Sequence, residues 1–178
     1  MFAPAEVVGF DYRSATPWDA ADEFTVKAAA LKSAYRRTVL VAESIGAYFS
    51  LNADLSRFFD RAFFISPIVD LERLITDMML WANVTEPELA AKKVVKTGFD
   101  EDLSWDYLQY VRNNRPAAWT TPTHILYGDT DTLQSIETVT AFANRAHAGV
   151  TVMHGGEHWF HTPEQMRFPD DWIRKNIP

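Results

Sequence analysis

The sequence predicts an α/β domain: a mostly parallel sheet of about five strands flanked by helices, with a helical insertion. Three observations carry this. Short runs rich in β-branched and aromatic residues alternate with longer segments of helical spacing. One long interval, residues 70–119, has helical spacing and no strand pattern, so it reads as an insertion on the α/β scaffold. The chain has 178 residues, 47% hydrophobic and 23% charged, enough to bury a core as one domain spanning residues 1–178.

Residues 6–12 (EVVGFDY) read as the first strand. Thr16 then caps a helix over 18–35, with Pro17 in its first turn and with acidic residues early and basic residues late, as the helix dipole favours. Residues 38–42 (TVLVA) form a second strand, 45–55 a helix and 61–66 (RAFFIS) a third strand. Within the insertion, 70–82 carries Leu71, Leu74, Ile75, Met78 and Met79 at helical spacing. Thr85-Glu86-Pro87-Glu88 is a capping box that opens a second helix, and 104–113 forms a third. The scaffold resumes with a strand at 123–127, a helix at 133–147 and a strand at 150–153. The last helix starts at Thr162 or Pro163 and is expected to break or end near Pro169.

Ligands of parallel sheets bind at the carboxyl ends of the strands, so the residues that follow each strand matter most. After the second strand comes Ala42-Glu43-Ser44-Ile45-Gly46, running straight into a helix. A serine on such a sharp strand-to-helix turn has an exposed hydroxyl, and small residues two before and two after it let strand and helix approach. The helix start also aims backbone amides at a developing oxyanion. The alternative is a serine that simply caps the helix. After the fourth strand comes Gly128-Asp129-Thr130-Asp131, which is also compatible with a polar turn. After the fifth comes Gly155-Gly156-Glu157-His158-Trp159-Phe160, a histidine on a glycine-rich loop between polar and aromatic neighbours.

Serine, aspartate and histidine thus follow three successive strands in the order Ser44, Asp131, His158. The segments VLVAESIGAYFSL, ILYGDTDTL and GGEHWFH resemble the nucleophile, acid and histidine segments of the α/β-hydrolase superfamily, and 70–119 stands where that family carries its lid. The resemblance implies a catalytic triad: Ser44 as nucleophile, His158 as general base and acid, and Asp131 as the orienting carboxylate. It also implies the Ile45 amide as an oxyanion donor, with Glu43 and Trp159 as candidates for contact with substrate. Asp70 and then Asp129 are the rival acids. The implied substrate is a small carboxylic ester or related acyl compound; the alternative is a weak or inactive domain of the same fold that serves as a binding module.

The resemblance further implies a strand and an oxyanion loop ahead of residues 6–12, whereas the chain opens at Met1-Phe2-Ala3-Pro4. Three expectations follow. Residues 6–12 take the vacant sheet position and the loop 13–16 supplies the second oxyanion donor; or another chain covers the edge, as in a homodimer; or the sequence is a shortened form of a longer protein.

Composition narrows the function further. A net charge of −7 argues against nucleic-acid partners. The absence of cysteine excludes a disulfide framework, a thiolate nucleophile and a Cys-type zinc site. His154, Glu157, His158 and His161 are crowded, but Gly155-Gly156 precludes the continuous helix that would give His154 and His158 a common face, so no metal and no cofactor is expected. His124 within a strand and His147 at a helix end read as structural. No apolar run of membrane-crossing length and no signal pattern is visible, so a cytoplasmic address with no membrane partner is expected.

Overall fold

The computed structural model describes residues 6–99 and 101–177. The elements run α1 (Pro17–Ala34), β1 (Val39–Glu43), α2 (Ile45–Asn52), a 3-10 turn (Leu55–Phe58), β2 (Arg61–Ile65), α3 (Leu71–Trp81), α4 (Glu86–Lys92), β3 (Val94–Val95), β4 (Leu103–Ser104), α5 (Trp105–Asn113), β5 (Thr123–Gly128), α6 (Ile136–Ala146), β6 (Gly149–Met153) and α7 (Pro163–Asn176). Two compact units result, one formed by residues up to Val69 and from Ala117 onward, the other by Asp70–Pro116.

The first unit holds a parallel sheet of four strands in the order β1-β2-β5-β6, with Val41, Phe63 and His124 in register across the first three. This corrects the expected count of about five. Residues 6–12 form no strand. Phe10 and Tyr12 instead pack on Phe24 of α1 at ring distances of 4.8 and 5.0 Å, and Tyr12 also meets Phe49 of α2 at 6.0 Å. The Tyr35 hydroxyl donates to Glu6, and the Arg13 and Ser14 amides donate to the Glu23 carboxylate. The segment therefore lies along α1, held by side chains. Its β-type composition does not bring it to the open edge of β1; ring contacts of Phe10 and Tyr12 with α1 and α2 set its path instead.

Alternation along the strands gives the sheet two apolar faces. On one, Phe63, Ile65, Leu126 and Met153 form a cluster with Phe160 and with Trp172 and Ile173 of α7. Trp172 meets Phe63 edge-on at 5.4 Å and donates from Nε1 to Thr151 Oγ1. On the other face Phe64 packs against Trp119 and against Phe142 of α6. Phe63 and Phe64 are fully buried, each stabilising the fold by roughly 1.5–3 kcal/mol. Val39 and Val41 of β1 remain 38% and 51% exposed.

The final helix runs unbroken through Pro169, against expectation. Proline there removes the donor for the Gln165 carbonyl, but Trp172 and Ile173 are buried beyond it and hold the next turn to the core. The Ile45 helix is shorter than expected, since Asp54 in the left-handed region turns the chain into the 3-10 turn.

The second unit contains α3, α4, β3, β4 and α5. Asp70, Thr85 and Ser104 each cap the helix that follows. Arg112 of α5 bridges to Glu72 of α3 at 3.0 Å and to Glu86 of α4 at 2.6 Å. The expectation of no strand in this stretch is corrected by the antiparallel pair Val94↔Ser104 and Val95↔Leu103. Trp119 belongs to the first unit, where its Nε1 donates to Thr123 Oγ1 at 2.7 Å. Among the described residues, no helix is long and apolar enough to cross a membrane.

Candidate active site

Ser44 stands between β1 and α2 with φ 49° and ψ −124°, a conformation unfavourable to any residue with a Cβ. Such strain costs about 1–3 kcal/mol and persists because both sides of the turn are tied down. The Ser44 amide donates to the Ile65 carbonyl, and the Ser44 carbonyl accepts from Ile68 and Ala47. The side chain makes no capping bond to α2, so the capping alternative is set aside. Instead its Oγ lies 2.8 Å from His158 Nε2.

The other ring nitrogen, His158 Nδ1, lies 2.8 Å from Asp131 Oδ2. With the imidazole protonated at Nδ1, that N–H donates to Asp131 and the Ser44 hydroxyl donates to Nε2. Asp131 is fixed in turn, because its Oδ1 accepts from the Leu133 amide at 2.8 Å. The histidine and the carboxylate are about 5% and 1% exposed, so their interaction is weakly screened. A hydroxyl proton can thus pass to an imidazole whose orientation and cationic form are supported by a buried carboxylate.

Two loops must meet for this chain of hydrogen bonds to close, and glycines let them. A Cβ on Gly128 would lie 2.3 Å from the Gly156 carbonyl oxygen. Thr130 binds that same oxygen through its amide at 2.9 Å and its hydroxyl at 2.6 Å. Phe160, held at φ 44° and buried in the core, anchors the far side of the histidine loop. Sequence reasoning missed the roles of Gly128, Thr130, Gly156 and Phe160; the glycines flanking both motifs were the available signal. At Gly46, by contrast, an added Cβ meets nothing within 4 Å. The expected need for a small residue there is therefore corrected.

No protein-family model and no curated protein matches the sequence. Solved structures do match. A presumed hydrolase from Agrobacterium vitis S4 superposes with TM-score 0.73 at 17% identity, over 96% of this chain and 72% of that one. Est1E from Butyrivibrio proteoclasticus gives TM-score 0.68 at 14% identity, over 89% and 71%. An alpha-beta serine hydrolase homologue from Coxiella burnetii gives 0.57 at 15%, over 97% and 66%. This chain has the α/β-hydrolase fold.

Within that fold, the remaining candidates take distinct places. The Ile45 amide opens α2, in the first helical turn where amides have no acceptor inside the helix. Of the rival acids, Asp70 caps α3, while Asp129 pairs with His154 at 2.8 Å and accepts from the Gly155 amide. His161 pairs with Glu157. The crowded histidines are thus divided among separate carboxylates, and among the described residues no three such groups are placed to hold a metal. His124 binds Arg61 at 2.9 Å and stacks on Phe63, and His147 ends α6 in the left-handed conformation. Glu43 keeps solvent access, yet surrounding protein desolvates its carboxyl and pushes its pKa up, an effect opposed by His158. Trp159 is 65% exposed, with its ring edge-on to His158 at 5.0 Å. The loop 13–16 expected to serve the oxyanion holds its Arg13 and Ser14 amides on Glu23.

Proposed function

We propose that the chain is a serine hydrolase that cleaves a small carboxylic ester or related acyl compound through an acyl-enzyme. The observation that carries this reading is the unbroken hydrogen-bonded path from Ser44 through His158 to Asp131. Ser44 Oγ attacks the acyl carbon as its proton passes to His158 Nε2. The carbonyl oxygen becomes an oxyanion, which the Ile45 amide stabilises. His158 then protonates the departing alcohol oxygen, leaving the acyl group on Ser44. Water attacks the ester so formed, gives its proton to His158 and releases the acid, and the proton returns to Ser44. Asp131 holds the ring in the required tautomer throughout. In chain order, the unit Asp70–Pro116 occupies the interval where relatives of this fold carry a lid, and we assign it that role.

A fluorophosphonate serine probe tests the reading: wild type should be labelled and Ser44→Ala should not. Folded wild type that resists the probe refutes it. One observation favours a second reading, a binding module with feeble turnover: the Arg13 and Ser14 amides already donate to Glu23. One oxyanion donor is worth about 3–4 kcal/mol, or roughly 10²–10³ in rate. Under this second reading Ser44 is labelled slowly and ester turnover stays near the background rate.

A further inference from the structure

The nucleophile and its acid are joined by a second route besides His158. The turn that follows β2 holds the backbone of Ser44, since the Ile68 amide donates to the Ser44 carbonyl at 3.1 Å. The next amide, Val69, donates to Oε1 of Gln134 at 3.1 Å. Gln134 belongs to the loop that carries Asp131 and is 3% exposed. Its Nε2 donates to the Leu133 carbonyl at 3.1 Å, and the Leu133 amide donates to Asp131 Oδ1 at 2.8 Å. A backbone N–H can meet only the oxygen end of a glutamine, and a carbonyl only the nitrogen end, so the two contacts fix which way the side chain points. The Tyr127 hydroxyl also holds the Gln134 backbone, donating to its carbonyl at 3.0 Å. The turn anchored in this way is strained. Ser66 sits at φ 41° and is fully buried, and among the described residues its hydroxyl has no hydrogen-bond partner. Such a turn keeps its shape only where outside contacts impose it.

We propose that Gln134 is a positioning residue for the triad, its side-chain amide setting the separation of Ser44 and Asp131 that His158 must span. The contacts close a ring. It runs from Ser44 through His158 to Asp131, then through Leu133, Gln134, Val69 and Ile68 back to Ser44. His158 bonds at 2.8 Å on both sides, which requires the hydroxyl and the carboxylate to stand at one fixed spacing. The turn after β2 and the loop after β5 leave different strands, and in this ring the Gln134 side chain ties one to the other. Without its amide, the Val69 N–H and the Leu133 carbonyl lose this partner, and the turn and the loop can draw apart. Gln134 acts through its neighbours and not on the substrate.

The inference rests on the hydrolase reading, and the experiment separates the two. Inactivation of Ser44 by a fluorophosphonate is followed in wild type and in Gln134→Met, which keeps the shape of the side chain and removes its amide. The maximal inactivation rate should fall about tenfold, as a small displacement at a reacting group implies, while the probe concentration for half-maximal rate changes by less than about twofold. Gln134→Asn, one methylene too short to reach both partners, should behave alike and serves if Gln134→Met does not fold. Phe142→Leu in the buried face of α6 lowers stability without removing any of these bonds, and should keep the wild-type rate. An unchanged rate in the folded Gln134 variants, or an equal loss in Phe142→Leu, overturns the inference and leaves the hydrolase reading standing. Folded wild type that resists the probe removes the hydrolase reading, and proton NMR then decides. The low-field resonance of the His158 Nδ1 proton, assigned by its loss in His158→Gln, should be sharp in wild type and broadened or shifted upfield in Gln134→Met. Its absence from wild type, or the same sharp line in both proteins, overturns the inference.

Discussion

Gly128→Ala is the sharpest test of how the loops that carry Asp131 and His158 are joined. The new Cβ would stand 2.3 Å from the oxygen and 2.5 Å from the carbon of the Gly156 carbonyl, a backbone group that cannot rotate aside. Restoring ordinary contact requires the histidine loop to retreat by about 1 Å. That motion pulls the Gly156 oxygen from the Thr130 amide and hydroxyl, which now bind it at 2.9 and 2.6 Å. Overpacking costs about 1–3 kcal/mol and each weakened hydrogen bond about 1 kcal/mol, so a loss near 3 kcal/mol is expected. His158 lies two residues beyond Gly156, and a displacement of about 1 Å at a reacting group costs on the order of 10² in rate. Urea denaturation measures the first quantity, and the rate of fluorophosphonate labelling at Ser44 measures the second. A variant within about 0.5 kcal/mol of wild type, labelled at the wild-type rate, would show that the close approach does not position the site.

Gly46→Ala should behave in the opposite way, gaining up to about 1 kcal/mol in urea unfolding because a helical glycine is replaced where there is open space; a loss of stability would count against that placement. Asp131→Asn should reduce kcat/KM on a 4-nitrophenyl ester by about 10³–10⁴, whereas Asp129→Asn, which frees only the exposed His154, should change it by no more than about twofold. The reverse ranking would reassign the acid. Pro169→Ala should stabilise the protein by up to about 3 kcal/mol by restoring a donor for the Gln165 carbonyl, and a destabilised variant would show that the proline ring is required. Burial, and then the Arg61 charge, hold the pKa of His124 below its ordinary value. The unfolded chain therefore takes up that proton more readily. The stability that depends on neutral His124 is fully present above about pH 6.5 and is lost as pH falls through the depressed folded value. His124→Gln should flatten this acid limb in thermal midpoints measured from neutral to mildly acidic pH; an unchanged slope would assign the limb elsewhere.

The strands at 39–43, 61–65, 123–128 and 149–153 were legible because each is a short apolar run closed by a turn, and every one has a neighbour to pair with. Residues 6–12 have the same composition, but strand formation is a property of pairs, and Phe10 and Tyr12 found helices instead. The pair Val94–Val95 and Leu103–Ser104 is too short to leave any periodicity. Proline at 169 argued for a break on local grounds, yet tertiary burial of Trp172 outweighed the lost hydrogen bond. At the site, the strand-end positions of Ser44, Asp131 and His158 were readable because a parallel sheet gathers such positions at one edge. The supporting contacts were not, since Gly128 against Gly156 is a clash that does not occur, visible only in three dimensions.

β1 carries Ser44 at its end and, among the described strands, is hydrogen-bonded on one side alone, to β2. Detaching it breaks a single ladder, and two of its five side chains, Val39 and Val41, already face water. A partial opening at this edge would part Ser44 from His158 while β2, β5 and β6 stay paired. Loss of activity on heating and loss of structure become two separate transitions, the first at the lower temperature. Amide exchange across residues 39–43 should follow the first, and exchange in Phe63 to Ile65 the second.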